Sequence, residues 1–169
     1  MNVIVIVEGS SDRGVVEAIL GKLNIKGKVL RMRGNNPDRA KRLIRSTCAG
    51  GMKAIVLKDL HRLPEDIVSR HLKKIQSEAK GTMCNVQGII VRKAIEAWIL
   101  ADIESIATGK KVKIGNPECI NEPNKELDRL VGYVKNYYRA KELASKIRLN
   151  IARKRAKSLD QFLHALKNP

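Results

Sequence analysis

Three acidic side chains stand where apolar runs end, in positions that could support chemistry. Glu8 directly follows the apolar run Val3–Val7. Asp59 comes shortly after the run Ala54–Leu57, and Glu96 comes shortly after a further apolar run. Clustered carboxylates suit Mg²⁺ or Mn²⁺, and an ion held in this way can orient a phosphodiester and stabilise the charge that develops during its transfer. The sequence therefore predicts a metal-assisted phosphotransfer site with Glu8, Asp59 and Glu96 as metal ligands.

Each of these acids also has an ordinary structural explanation. Glu8 could cap the helix that follows it, and Asp12 lies in the first turn of that helix, where the helix dipole favours an acidic side chain. Asp59 and Glu96 could each pair with a basic residue close by in sequence. Asp102 is expected to end a helix or to meet a basic neighbour.

The elements that must position these acids alternate between strand and helix over the first two thirds of the chain. The unbroken Val/Ile run over residues 3–7 predicts a buried parallel strand, and apolar stretches predict further strands over residues 54–57 and 86–91. Residues 28–33 could form a short second strand. Amphipathic patterns and caps predict helices over residues 12–23 and 38–48, after Pro64, and over 92–107. The pattern predicts an α/β fold with a parallel-rich four-stranded sheet flanked by helices. Since parallel strands place their carboxyl ends at one edge, Glu8 and Asp59 are expected to converge there.

The remainder of the chain has a different composition. Residues 108–123 are rich in Gly, Pro, Asn and Lys and predict a loop, and helices are predicted over residues 125–138, 140–155 and 158–166. This region carries fifteen Lys and Arg against six Asp and Glu. The predicted organisation is an α/β domain over residues 1–107, with a loop and basic helical extension over residues 108–169 packed on it.

The charge of the whole chain points to a polyanionic partner. It contains 34 Lys and Arg against 17 Asp and Glu, a formal net charge of +17, which favours nucleic acid, DNA or RNA, contacted mainly through its phosphate backbone. Only 3% of the residues are aromatic, which disfavours base stacking. The predicted nucleic-acid contacts are Arg13, Lys58, Arg62, Arg148, Arg153, Lys154, Arg155 and Lys157. No apolar run has the length of a membrane span, so no membrane partner and a cytoplasmic location are expected.

The cysteines and tyrosines are predicted to be packing residues. No CxxC pair is present, which argues against a zinc site, and the odd number of cysteines argues against a disulfide framework. We therefore expect reduced thiols at Cys48, Cys84 and Cys119. Nothing in the sequence marks a nucleophile among Tyr133, Tyr137 and Tyr138.

Three segments of the chain, in order, resemble the Toprim domain, the catalytic fold of topoisomerases, bacterial primases, OLD-type nucleases and small ribonucleases that mature ribosomal RNA. The first is the strand ending in Val7-Glu8-Gly9 with the trailing Asp12. The second is the strand ending in Lys58-Asp59-Leu60-His61, where the family has Asp-x-Asp. The third, Glu96-Ala97-Trp98-Ile99-Leu100, is similar to a Glu-Ala-Trp-Leu segment of small Toprim-like proteins. The resemblance covers roughly residues 3–102.

The resemblance implies a Rossmann-like Toprim fold and a nucleic-acid-processing activity. It implies that Glu8 is a metal ligand or general acid/base and that Asp59 is a metal ligand. His61 replaces the second acid of the motif, and an imidazole can bind Mn²⁺ but suits Mg²⁺ poorly. Two-metal chemistry would then require Glu96 to supply the missing carboxylate. The predicted catalytic residues are Glu8, Asp59 and His61, with Mg²⁺ or Mn²⁺ as cofactor.

Two functions remain open at this stage. The first is a metal-dependent nuclease of Toprim type. The second is a non-catalytic nucleic-acid-binding module, or a subunit of a larger DNA- or RNA-processing complex with a protein partner. A nucleotide-handling enzyme is disfavoured because the chain has neither GxGxxG nor a Walker lysine loop.

Overall fold

A computed structural model describes residues 2–82 and 84–168 and shows a parallel sheet with helices on both faces. The strands are β1 Val3–Val7, β2 Gly27–Arg31, β3 Lys53–Asp59 and β4 Asn85–Val91. They lie in the order β2-β1-β3-β4, and every neighbouring pair is parallel. The predicted α/β class, with its four-stranded parallel sheet flanked by helices, is confirmed.

Strand β1 lies between β2 and β3 in the sheet, and its side chains are apolar on both faces. Val3, Val5 and Val7 enter one hydrophobic core, and Ile4 and Ile6 enter a second core on the opposite face of the sheet. A strand covered on both faces has no use for alternating polar residues, which explains the unbroken Val/Ile run.

The helices divide between these two cores. They are α1 Ser10–Lys22, α2 Pro37–Thr47, α3 Glu65–Glu78, α4 Glu96–Leu100, α5 Pro123–Val131, α6 Tyr137–Lys146, α7 Leu149–Arg155 and α8 Lys157–Lys167. Helices α2 and α3 cover the Ile4 face, while α1, α4 and the helices after residue 108 cover the Val5 face. None of the helices in the described ranges is both long and apolar enough to cross a bilayer.

The helices after residue 108 complete the core of the preceding segment. Trp98 in α4 stacks on Phe162 in α8 with 5.4 Å between the ring centroids, and its indole N–H donates to Ser158 at 2.8 Å. Gly14 in α1 lies so close to α6 that a Cβ there would overlap the backbone oxygen of Tyr137. These helices therefore share one packed interior with the sheet.

The helix predicted over residues 92–107 is wrong in extent. Helix α4 begins only at Glu96 because Lys93 adopts a left-handed backbone conformation with φ of 65°, which a right-handed helix does not accommodate. The helix predicted over residues 140–155 is also interrupted, since α6 ends at Lys146 and α7 begins at Leu149. The Arg148 N–H lies in this break and donates to the buried Asp102 carboxylate at 2.6 Å.

The expectation of reduced cysteines is wrong for two of the three. Cys48, at the end of α2, is bonded to Cys84, which immediately precedes β4, with 5.9 Å between their Cα atoms. That separation lies in the range of ordinary disulfides. Cys119 is a free, exposed thiol. Sequence spacing could not identify the pair because the two cysteines are 36 residues apart.

Candidate metal centre at the carboxyl edge of the sheet

Glu8, Asp59 and His61 meet at the carboxyl edge of the sheet. The parallel register aligns Ile6 of β1 with Val56 of β3, so Glu8 and Asp59, which follow them, emerge at the same edge. The His61 Nε2 atom lies 3.5 Å from Glu8 Oε2 and 3.7 Å from Asp59 Oδ2. One potential ligand atom from each of the three residues lies within 4.8 Å of the others. The structure thus brings together all three residues predicted to be catalytic.

His61 is placed by an unusual pair of backbone conformations. The β3–β4 ladder continues past the strand ends, where the His61 N–H donates to the Lys93 carbonyl at 2.7 Å. His61 has φ of 46° and Lys93 has φ of 65°, and left-handed conformations are uncommon for residues other than glycine. Such conformations persist where surrounding contacts impose them and are enriched at functional sites. The His61 side chain is 46% exposed and therefore lies at the mouth of the site.

Asp12 and Glu96 lie beside this group, and we call Glu8, Asp12, Asp59 and Glu96 the acidic cluster. Asp12 is buried, and it accepts a hydrogen bond from the Gly9 N–H at 2.8 Å as part of the cap of α1. Burial, together with the negative charges of Glu96 and Glu8, raises the pKa of Asp12 to about 6. Burial and the neighbouring carboxylates also hold the pKa of Asp59 well above its ordinary value. The acidic cluster therefore concentrates negative charge where little solvent is available to stabilise it.

Glu96 does not lie among the atoms that could share one ion. The ligand group comprises Glu8, Asp59 and His61, while the fully buried Glu96 accepts a hydrogen bond at Oε1 from the Tyr133 hydroxyl at 3.0 Å. Glu96 Oε2 has no hydrogen-bond partner among the described residues. Glu96 therefore lies beside the ligand group in this geometry, and its role as a direct metal ligand stays a prediction.

Sequence reasoning missed two residues that complete the site, Tyr133 and Lys135. The Lys135 ammonium lies 3.7 Å from Glu96 Oε1. Burial alone would lower the pKa of Lys135, but the negative charges of the acidic cluster, Glu96 first, outweigh it and raise that pKa. Burial and the nearby Glu96 raise the pKa of the Tyr133 hydroxyl, which stays protonated and can donate. The site therefore contains its own cation and its own hydrogen-bond donor.

These two residues come from the short connection between α5 and α6. Gly132 ends α5 with φ of 68°, the conformation that glycine adopts most readily at a helix C-terminus. The Asp128 side chain accepts from the Tyr133 N–H at 3.0 Å, and the Arg139 guanidinium donates to the carbonyl of Val131 at 2.9 Å. The connection is thus fixed at both ends. Gly132 is the sequence signal for this connection. It predicts a turn, but it does not predict that the turn lies against the acidic cluster.

Lys58 is a correction to the predicted nucleic-acid contacts. Its side chain is fully buried, and its ammonium lies 3.6 Å from Glu8 Oε1 and donates to the Asn35 side-chain oxygen. A buried ammonium is not available to a phosphate backbone. Burial lowers the pKa of Lys58, while the nearby Glu8 opposes that change. Lys58 instead supports the Glu8 carboxylate from within the protein.

The other predicted contacts differ in how they are engaged. Arg148 is paired with Asp102 at 2.8 Å, and Arg153 is paired with Asp160. Arg155 donates to the Ile114 carbonyl at 3.0 Å. These three arginines brace the helices after residue 108. Arg13 pairs with Glu17 and the exposed Arg62 lies 3.7 Å from Glu122, both on the surface, and Lys154 and Lys157 are exposed.

The residues of the ligand group fit a divalent cation. Two carboxylates and one imidazole form a mixed oxygen and nitrogen donor set, which suits Mn²⁺ better than Mg²⁺. The raised pKa values of Asp12 and Asp59 and the orphaned Glu96 oxygen show negative charge that the protein itself leaves incompletely compensated. A bound dication would reverse the local sign of the site.

Comparison with known proteins matches the chain to one family model. The family described as "Domain of unknown function (DUF4276)" matches residues 7–167, a range that includes the acidic cluster and the helices that pack behind it. No curated protein and no solved structure matches the chain.

Proposed function

The chain belongs to the DUF4276 family, and we propose that it is a divalent-metal-dependent phosphotransfer enzyme acting on nucleic acid, a nuclease of Toprim type. The convergence of Glu8, Asp59 and His61 within 4.8 Å is the single observation that carries the proposal. The chain around this acidic site has a net charge of +17. Acids do not attract a polyanion, so a site that combines them with a strongly basic surface favours an ion held between protein and phosphate.

The residues divide into those that hold the ion and those that prepare the site. Glu8 and Asp59 would hold it together with His61, and when bound it would orient a phosphodiester and stabilise the developing charge. Asp12 and Glu96 add negative potential behind the ligand atoms. Glu8 would serve either as a metal ligand or as the general acid/base, because its side chain is 11% exposed and reaches the mouth at His61. Lys58 holds Glu8 in place from the interior.

The proposed substrate is nucleic acid contacted through its backbone. Charge and the low aromatic content support phosphate contacts rather than reading of bases. The proposal retains the cytoplasmic location expected from the sequence. It leaves room for a protein partner in a larger DNA- or RNA-processing complex.

The test is a cleavage assay with the purified protein on labelled single- and double-stranded DNA and RNA, with Mn²⁺, Mg²⁺ or EDTA. We expect cleavage with Mn²⁺, less with Mg²⁺ and none with EDTA. Glu8→Gln should abolish cleavage while leaving nucleic-acid binding intact. Glu104→Gln is the matched control, since it removes the same charge from an exposed residue and should cleave at the wild-type rate.

Salt-sensitive binding without cleavage under every metal condition would overturn the enzyme proposal. In that case the protein would be a nucleic-acid-binding module. Cleavage that persists unchanged in Glu8→Gln would locate the activity elsewhere in the molecule.

A further inference from the structure

A series of hollows leads away from the acidic cluster along the β3–β4 side of the sheet. The first hollow, of about 410 Å³, is lined by His61, Lys93 and Lys135. The second, of about 640 Å³, shares Lys93 with the first and adds Arg92 and Lys157. The third, of about 370 Å³, is again lined by Arg92 and Lys157. Each hollow is also lined by one glutamate, Glu122, Glu118 and Glu65 in turn, but cations are in excess in all three. Neighbouring hollows share lining residues, and we call the series the cationic groove.

Two cations of this groove, Arg92 and Lys93, have exposed partners that a ligand could replace. Arg92 lies 3.4 Å from Glu65, and both side chains are about half exposed. Lys93 donates to the Asn121 side-chain oxygen at 3.2 Å in an exposed contact. Exposed pairs of this kind contribute little to stability, so phosphate oxygens can replace them at small cost. The arginines of α7, by contrast, are bound to carboxylates or to backbone carbonyls of the protein itself.

A backbone hydrogen bond connects the groove with the metal site. Lys93 lies in two of the hollows, and its carbonyl accepts the hydrogen bond that fixes His61 in the ligand group. His61 and Lys93, which both have left-handed backbone conformations, therefore fix the mouth of the metal site and the position of the first cation of the groove. Strained backbone conformations cluster at functional sites, and here the two strained residues connect the metal site with the groove.

We infer that the cationic groove holds the backbone of a single-stranded nucleic acid whose scissile phosphate lies at the ligand group of Glu8, Asp59 and His61. The inference rests on the proposed function and names its substrate class. Hollows of 370 to 640 Å³ have the volume of small-molecule pockets, which suits successive nucleotides of an extended strand rather than a rigid duplex. Among the described residues, no Phe, Tyr or Trp lines these three hollows, so binding depends little on sequence and follows the salt dependence of phosphate contacts.

The test compares two triple variants with the same change in charge. The groove variant carries Arg92→Gln, Lys93→Asn and Lys157→Gln, with Asn chosen because it tolerates the left-handed conformation. The control carries Lys22→Gln, Lys73→Gln and Lys74→Gln, which change exposed residues outside the three hollows. Fluorescence anisotropy in EDTA measures binding of labelled oligo-dT and oligo-U of about 12 nucleotides, a length within typical single-strand site sizes. Circular dichroism confirms that both variants fold.

We expect the groove variant to bind at least about tenfold more weakly than the wild type at low salt. The slope of log affinity against log salt should fall in magnitude by about 2, as expected for three lost contacts to a single strand. The control should stay within about twofold of the wild type. Should the triple variant fail to fold, Lys157→Gln alone should reduce the slope by about 0.7.

Three results would overturn the inference. Equal losses in the two variants would mean that binding follows net charge alone. An unchanged groove variant would place the strand elsewhere, and tighter binding of a matched duplex would exclude a single-strand groove. Because binding is measured in EDTA, this failure is separable from that of the nuclease proposal, which depends on metal-dependent cleavage and on Glu8.

Discussion

Asp12 is the residue whose ionisation reports most directly on the acidic cluster. Its pKa is about 6 in the folded protein against an ordinary value of 3.8, so the folded state retains a proton that the unfolded chain releases. Stability is therefore greatest below about pH 4 for this group and is lost as the pH rises through about 6. The pKa difference corresponds to roughly 3 kcal/mol. Asp59, whose pKa is also raised, adds to this loss as it ionises.

The measurement is urea unfolding in EDTA between about pH 4.5 and 7.5. The Asp12→Asn variant keeps an oxygen to accept the Gly9 N–H and lacks the titration, so its stability should fall less over this range. Added Mn²⁺ should offset the loss, and its affinity should increase with pH as it displaces protons. Identical pH profiles for the two proteins would refute this account of the cluster.

Tyr133 offers a second prediction for a single residue. Tyr133→Phe removes the only hydrogen-bond donor recorded for Glu96 among the described residues and leaves a buried carboxylate without one. The expected loss is about 1–3 kcal/mol of unfolding free energy in EDTA. Tyr138→Phe removes the same atom from a residue that is 80% exposed and should change stability by less than about 0.5 kcal/mol. Chemical denaturation of both variants decides the point, and equal losses would contradict it.

Individual site residues differ in how far the sequence predicts them. Glu8 and Asp59 are predictable because each ends an apolar run, and parallel strands bring such ends together. Tyr133 and Lys135 are not, because they reach the cluster from a helix connection whose docking depends on long-range packing. Lys58 shows the opposite error, since a lysine beside an acid in sequence reads as exposed while the strand in fact buries it.

At the scale of elements, two glycines of α1 test how the helices after residue 108 hold the sheet. Gly14→Ala should cost about 2 kcal/mol or more, because the new methyl would overlap backbone atoms of α6, which cannot move as a side chain can. Gly21→Ala lies in the same helix with nothing within 4 Å of the new methyl, and it should stabilise by about 0.5–1 kcal/mol. Thermal unfolding of the pair is the measurement. A neutral Gly14→Ala would mean that α1 and α6 do not pack closely in solution.

The strands are predicted from the sequence more accurately than the helix ends. Apolar runs locate β1, β3 and β4 because burial on both faces leaves a continuous pattern. Helix α4 is also buried on all sides, so its sequence has no polar face from which its ends could be located. Its start depends on the left-handed Lys93, and the break before α7 coincides with the hydrogen bond from Arg148 to Asp102. Both are tertiary features that local propensity does not encode.

At the scale of the whole molecule, the charge is divided into two environments. The acidic cluster is largely buried within a chain of net charge +17, while cations such as Arg62 and Lys154 are exposed. Salt screens exposed charges strongly and buried ones much less. The two proposed activities, ion binding at the cluster and polyanion binding at the surface, should therefore respond differently to ionic strength.

This difference gives a final prediction for the intact protein. At about 100 times its dissociation constant, either ligand should stabilise the fold by roughly 2.7 kcal/mol, which for a chain of this length raises Tm by roughly 5–10 °C. With each ligand held at a fixed concentration, we expect the increase caused by a short single-stranded oligonucleotide to vanish between about 0.1 and 1 M NaCl. Most of the increase caused by Mn²⁺ should remain, and Glu8→Gln should remove only the Mn²⁺ effect. If both increases disappear together with salt, Mn²⁺ binds at exposed charges and the buried cluster is not its site.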